Sequence, residues 1–222
     1  MINFDEYEKI VVGIGDLFNT NIENEENISE IDKLMYVKAN ADTKVIDSYK
    51  KLAAMLAGKD YFVVTTCTDD IIYECGFDPE RIVSPCGGFR FFQCVDDCNH
   101  ELLPFYEQAL EEKSLPKCPH CGKDIVFNRL PVDKYNEGGY LDMWEKYNQF
   151  LQSTVNKKLL LLELGVGMKY PSVIRFAFEK IATYNKKSQM YRVHPTLAFA
   201  IPEIKESCQC ISANPVEFLS EM

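Results

Sequence analysis

Lys158-Leu-Leu-Leu-Leu-Glu-Leu164, followed at once by Gly165-Val166-Gly167, decides the fold. A near-continuous apolar run of this length is expected of a central parallel strand, covered by helices on both faces. Pro171 then suits the first turn of a helix that carries Ile174, Phe178 and Ile181 to about Asn185. Working backward, residues 141–152 place Trp144, Tyr147 and Leu151 on one helical face. Tyr61–Thr65 (YFVVT) and Lys9–Ile14 (KIVVGI) read as two further buried strands. Between them, residues 43–57 have helical spacing at Val45, Tyr49, Leu52 and Leu56, with Gly58 as a stop. Residues 69–75 read as a short helix before the turn Gly76-Phe-Asp-Pro79. Working forward, residues 189–193 and Cys208–Ile211 read as strands. Asn214 caps a short terminal helix, with Glu217 three residues on. Strand–helix alternation with glycine turns at strand ends predicts an α/β chain: a Rossmann-like, doubly wound parallel sheet.

A second signal interrupts this alternation. Cys94-Val-Asp-Asp-Cys98 is separated by nineteen residues from Cys118-Pro-His-Cys121. Two close thiol pairs at this separation make a zinc-ribbon pattern, because zinc takes four ligands in a tetrahedron and each short turn supplies two thiolates. Pro119 and Gly122 suit the second turn. The alternative is four unrelated buried cysteines. With four thiols no coordination position is left open, so the expected metal is structural. His100 and His120 stand beside the set, as neighbouring or solvent groups rather than ligands. Residues 86–130 are therefore expected to be an inserted zinc ribbon, with residues 1–85 and 131–222 forming a discontinuous Rossmann-like domain.

Composition narrows the partners. A net charge of −10 over 222 residues, with no Lys/Arg stripe, argues against a nucleic-acid surface. Nine cysteines are an odd count, four of them fit zinc, and the N-terminus has neither a basic nor an apolar leader. The longest apolar run is far too short to span a bilayer. The expectation is a soluble protein of a reducing, cytoplasmic compartment. Residues 19–32 carry Glu23, Glu25, Glu26, Glu30 and Asp32 and read as a solvated loop. Gly13-Ile14-Gly15 after a strand can let a phosphate approach the backbone. Phe18 stands where a third glycine would, and Asp16 would repel a phosphate, so a plain strand-to-turn reading has equal standing.

Several of these segments resemble the sirtuin family. They are Tyr61-Phe-Val-Val-Thr-Thr-Cys-Thr-Asp69, Gly76-Phe-Asp-Pro-Glu-Arg-Ile82, Gly87 with Phe92-Gln-Cys94, the zinc cysteines, and Leu161-Leu-Glu-Leu-Gly-Val-Gly167. Phe91-Phe-Gln-Cys94 and Leu162-Glu-Leu-Gly-Val-Gly167 are most similar to the bacterial, macrodomain-associated sirtuins. The likeness runs from about Tyr61 to Ile204 and is thin before Lys59. It implies a zinc protein that binds NAD between two domains. It also implies an enzyme that breaks the nicotinamide–ribose bond, passing ADP-ribose to an acyl oxygen in deacylation or to a protein side chain. By the same likeness, Gly13 and Gly15 lie near the phosphates, and Gly165, Val166 and Gly167 flank the adenosine side. Val193 and His194 fall near the adenine ribose, where the family has Ile-Asn. Thr65 and Asp69 are further cofactor-binding positions by the same likeness. The implied partner is a protein substrate, such as an acyl or lipoyl carrier, or a macrodomain protein.

The departures are as informative as the likeness. The family's Asn-x-Asp appears as Cys67-Thr68-Asp69. Its general base, His or Gln, is replaced by Cys86. Its Gly-Ala-Gly-x-Ser becomes Gly13-Ile14-Gly15-Asp16-Leu17. Gly13 and Cys67 are 54 positions apart, too few for the loop that covers nicotinamide. A thiol of ordinary pKa about 8.5 is mostly protonated at neutral pH and a poor base. Cys67 and Cys86 could be a redox pair, a nucleophile pair or inert packing; Asp69 could hold nicotinamide or cap the next helix. The expectation is a catalytically degenerate sirtuin-like module that binds NAD or ADP-ribose, the alternative being an active NAD-dependent ADP-ribosyltransferase or deacylase.

Overall fold

The computed structural model describes residues 2–22 and 27–222. Among the described residues there are nine strands and six α-helices, with short 3-10 turns between them. The strands are β1 Lys9–Ile14, β2 Tyr61–Thr65, β3 Ile82–Val83, β4 Gly87–Cys94, β5 Leu102–Pro104, β6 Ile125–Arg129, β7 Leu159–Leu164, β8 Ser188–Val193 and β9 Cys208–Ile211. The helices are α1 Glu30–Asn40, α2 Thr43–Leu56, α3 Gln108–Glu112, α4 Leu141–Ser153, α5 Arg175–Tyr184 and α6 Pro215–Glu221.

Six strands form one parallel sheet in the order β3-β2-β1-β7-β8-β9. The order reverses between β1 and β7, the switch point at which doubly wound sheets open a crevice. Alternation along β1 sorts its side chains. Ile10, Val12 and Ile14 join Tyr49, Leu52 and Leu56 of α2 on one face. Val11 joins Tyr147 of α4 and Phe178 of α5 on the other. Leu159 to Leu162 are completely buried, which explains why that stretch is apolar on both faces.

One charged network lies inside this apolar sandwich. Arg192 of β8 grips Glu163 of β7 with Nε at 2.7 Å and Nη2 at 2.9 Å, and reaches Glu179 of α5 at 2.9 Å. Arg175 adds a contact to Glu163 at 3.3 Å. The Glu-Leu ending of the diagnostic stretch thus exists because β7 carries the anion that pins β8 and α5.

Strands β4, β5 and β6 form a separate antiparallel sheet in the order β5-β4-β6. Its core is aromatic: Phe127 packs on Phe89 and Phe92 with ring centroids 4.7 and 4.6 Å apart. Helix α1 reaches this sheet from the first part of the chain, where Glu30 accepts the backbone N–H of Phe127 at 2.7 Å.

Two expectations are corrected. Residues 19–32 are not one loop, because α1 begins at Glu30. Ser29 accepts the N–H of Asp32 as an N-cap, and Ile31, Leu34 and Val37 bury one face; cap and apolar spacing outweigh the charge count. Glu23, Glu25 and Glu26 lie outside the described residues. Helix α5 begins at Arg175 rather than Pro171: a turn closes from Val173 N–H to the Tyr170 carbonyl, and Ile174 is drawn against Gly13, where an added Cβ would lie 2.3 Å from its side chain. Among the described residues no helix is long and apolar enough to cross a membrane.

Candidate functional site

The two glycine turns meet at the switch point. Gly15 donates to the Leu164 carbonyl at 2.9 Å, and Leu17 donates to that of Gly165 at 3.3 Å. A Cβ on Gly15 would stand 2.3 Å from both the Gly165 oxygen and the Val166 Cα, so glycine is required for this approach. Gly165 itself sits at φ +62°, in left-handed space. Asp16 turns back across the gap: its Oδ1 accepts the backbone N–H of Gly167 at 2.9 Å. That N–H is the kind of donor a phosphate uses at such a turn.

Beside this contact lies a cavity of about 120 Å³, lined by Asp16, Thr68, Gly167, Lys169 and Tyr170. Sites for ligands of drug size or larger enclose roughly 300–1,000 Å³. The backbone of the cradle suits a pyrophosphate; the Asp16 carboxylate and the closed cavity do not. A phosphate at this turn would have to displace Asp16 from the Gly167 N–H.

The segment after β2 is committed to local structure. Thr65 is buried, and its hydroxyl accepts the Cys67 N–H at 3.0 Å. The Cys67 thiol donates to the Gly15 carbonyl at 3.2 Å and contacts the Tyr49 hydroxyl at 3.8 Å. Burial, then the Asp69 charge, push this thiol far above its usual range. Asp69 accepts backbone N–H groups from Thr20 at 2.7 Å and Ile71 at 3.3 Å; burial nevertheless raises its carboxyl to about 6. It thus clasps the segment after the first turn, joined by Asn19, which accepts the Thr68 N–H at 2.8 Å.

Cys86 is also buried, and burial pushes its thiol up to about 12 against a weaker lowering by Lys169. Arg90, its nearest cation in sequence, turns away: it pairs with Asp70 at 3.4 Å and lies 3.9 Å over the Tyr73 ring. At the other end of the cleft Val193 is fully buried, and His194 Nδ1 accepts N–H groups from Thr196 at 3.1 Å and Leu197 at 2.9 Å. Burial lowers the His194 pKa, opposed by Asp16 and aided by Arg175.

The four expected zinc cysteines converge. Cys94 and Cys121 sulfurs are 3.5 Å apart, Cys98 and Cys118 sulfurs 3.6 Å, and all four lie within 4.8 Å of one another. A tetrahedron of Zn–S bonds near 2.3 Å has edges of about 3.8 Å, so the set is positioned for a zinc site. His100 pairs with Asp97, and His120 with Glu101 at 2.8 Å, which leaves the four thiols as the donor set.

No family model matches the chain. It is 24% identical over 174 residues to a protein ADP-ribosyltransferase of Staphylococcus aureus, covering 72% of this chain and 55% of that protein. It is also 24% identical over 141 residues to a probable bifunctional ADP-ribose hydrolase/ADP-ribosyltransferase of Fusarium oxysporum f. sp. cubense, covering 56% and 24%. The chain thus spans about half the length of the first relative and about a quarter of the second. A structure solved for the basis of sirtuin substrate affinity superposes with a TM-score of 0.63 at 12% identity, covering 98% of this chain and 94% of that one. A Sir2–p53 peptide–NAD+ complex does so with a TM-score of 0.60 at 14% identity, covering 98% and 93%.

The chain has the sirtuin fold. Asp16, Gly167 and Lys169 line one cavity beside the β1–β7 switch point, and Asp69 ties the segment after β2 to Thr20. The Asp16–Gly167 bond and the paired Thr20–Asp69 and Thr68–Asn19 bonds were invisible in the sequence, because each joins non-periodic turns far apart in the chain. Only the acidic residue in the Gly-x-Gly-x turn hinted at the first. The Cys67 sulfur contacts the Gly15 carbonyl and the Tyr49 hydroxyl, whereas Cys86 is buried and makes neither contact.

Proposed function

We propose that this chain is a non-catalytic, sirtuin-fold zinc module whose cleft admits NAD or ADP-ribose only when Asp16 leaves Gly167. The Asp16–Gly167 bond carries the reading: a carboxylate already serves the donor that a pyrophosphate would need. At about 4 Å, two like charges repel by roughly 4 kcal/mol in a partly solvated setting. Bound nucleotide therefore competes with a group of the protein itself.

The thiols support the absence of turnover. Burial pushes the Cys86 thiol up to about 12, so it is protonated at pH 7 and a poor general base. Loss of proton transfer costs about 10²–10⁴-fold in rate. Buried Cys67 and Cys86 then act as packing, and Asp69 as a clasp rather than a nicotinamide ligand. Zinc at Cys94, Cys98, Cys118 and Cys121 is structural, holding the antiparallel sheet as the lobe of residues 86–130 against the domain of residues 1–85 and 131–222.

A second reading is active ADP-ribosyl transfer. The names of the two curated relatives favour it, and transfer to an external acceptor asks less of a base than deacylation does. Under either reading the partner is a protein, in line with the peptide in the Sir2 complex. An acidic acyl or lipoyl carrier meets a chain of net charge −10 and needs a local basic patch; a macrodomain protein does not carry that requirement. The test is to incubate reduced, zinc-loaded protein with NAD, with and without acceptor proteins, and to measure free nicotinamide. The proposal expects none above the protein-free control. Release that depends on Asp69, lost in Asp69→Asn, would establish the second reading instead.

A further inference from the structure

Two cysteines outside both sites stand together on the open edge of the large sheet. Cys208 and Cys210 lie in β9, the last strand in the order, paired only on its β8 side among the described residues. Residues two apart in a strand share a face. Here that face looks toward α5, with Met190 in register beside Cys208 and Arg192 beside Cys210. The two sulfurs are 3.8 Å apart. Cys210 is exposed and Cys208 is buried. The charged groups facing the pair are Arg192 and Glu163, which act on Cys208, and Arg175, which feels Cys210.

We propose that Cys208 and Cys210 form a reversible dithiol–disulfide site, oxidised by hydroperoxides. An exposed thiol with a second thiol in contact behind it is the arrangement of a redox-sensing cysteine and its resolving partner. Cys210 is the attacking group, because it alone of the two meets solvent. Its thiolate attacks the peroxide: an S–O bond forms, the O–O bond breaks, and the leaving alkoxide takes a proton to depart as alcohol or water. The Cys208 sulfur then attacks the sulfenic sulfur: the S–S bond forms, the S–O bond breaks, and water leaves with the Cys208 proton. A small thiol reductant returns the two electrons by exchange.

The strand makes this bond labile. Two residues of extended chain rise about 6.6 Å, near the upper end of the roughly 4.4–6.8 Å that a disulfide spans between Cα atoms. Closure shortens the sheet edge, and a strained, exposed disulfide is among the readily reduced ones. Of the three other cysteines outside the zinc set none competes: Cys67 and Cys75 donate to the carbonyls of Gly15 and Ile71 instead, and Cys86 is buried.

The pair can be read directly in the whole zinc-loaded chain. Lys205 is the last basic residue, so trypsin releases both cysteines in one peptide, residues 206–222. After hydrogen peroxide at one to a few equivalents, alkylation and digestion without reductant, that peptide is expected unalkylated and lighter by two hydrogens. Dithiothreitol should restore it, while the four zinc thiols keep their metal. In Cys208→Ser the disulfide is expected to give way to a sulfenic acid on Cys210, trapped by dimedone; in Cys210→Ser neither product should form. A wild-type peptide that stays doubly alkylated after peroxide would overturn the proposal, as would oxidation of Cys208 persisting in Cys210→Ser. The wild-type mapping decides the matter even if a variant folds poorly.

Discussion

The carboxylate of Asp69 accepts the backbone N–H of Thr20 at 2.7 Å, tying the segment after the first glycine turn to the segment after β2. Burial outweighs this bond and lifts the carboxyl from 3.8 to about 6. A carboxyl raised on folding holds its proton more tightly in the folded chain. Its contribution to stability is full below about pH 4 and is lost as pH rises through 6. The loss amounts to about 3 kcal/mol at most. Parallel melts of wild type and Asp69→Asn are expected to show the wild type losing ground to the variant between pH 4 and 6.5. A difference that stays constant over that range would remove the titration from Asp69.

The four-thiol set predicts a metal-dependent lobe. One zinc per chain is expected by elemental analysis, and a structural site of this kind contributes about 10–16 kcal/mol to the part that binds it. Chelation or Cys118→Ser should expose the aromatic cluster of Phe89, Phe92 and Phe127 to a hydrophobic dye. Zinc content near zero in folded, reduced protein would contradict the assignment.

Glu163 is one of two anions, with Glu179, that contact both buried guanidiniums. Their side chains are 0% and 2% exposed at Arg192 and Arg175. Removing Glu163 takes away the nearer partner of both and leaves Glu179 as their remaining anion; breaking a buried pair in this way costs about 3–5 kcal/mol. Urea unfolding of Glu163→Ala should show a loss of that size. A change below about 1 kcal/mol would mean that Glu179 alone satisfies both arginines.

Cys67 and Cys86, at 2% and 1% exposure, should resist a soluble thiol reagent in the folded chain, while exposed Cys210 reacts at once. Mapping the modified cysteines tests this. Rapid labelling of Cys86 would restore it as a candidate nucleophile.

The parallel sheet was legible because its signals are local and periodic. The run Leu159 to Leu162 can only be buried on both faces, and Asn214 caps its helix as a short motif should. The zinc set was legible from spacing alone. Helix α1 was missed although Ser29, Asp32 and the Ile31, Leu34, Val37 rhythm announced it; the acidic count drew attention away. The site was legible only in part. Asp16 is visibly out of place in a phosphate turn, yet that its carboxylate lands on Gly167, 151 residues later, follows from the β1–β7 pairing rather than from any motif. Likewise the turn of Arg90 toward Asp70 and Tyr73, away from Cys86, depends on how β4 meets the turn after Asp69.

The most direct measurement is calorimetric titration of ADP-ribose into the zinc-loaded wild type and into Asp16→Ser, side by side. Removing the carboxylate frees the Gly167 N–H and lifts the repulsion, so the variant is expected to bind at least about tenfold more tightly, a gain of roughly 1.4 kcal/mol. Equal affinity in the two proteins, or binding by neither, would contradict a cleft governed by Asp16.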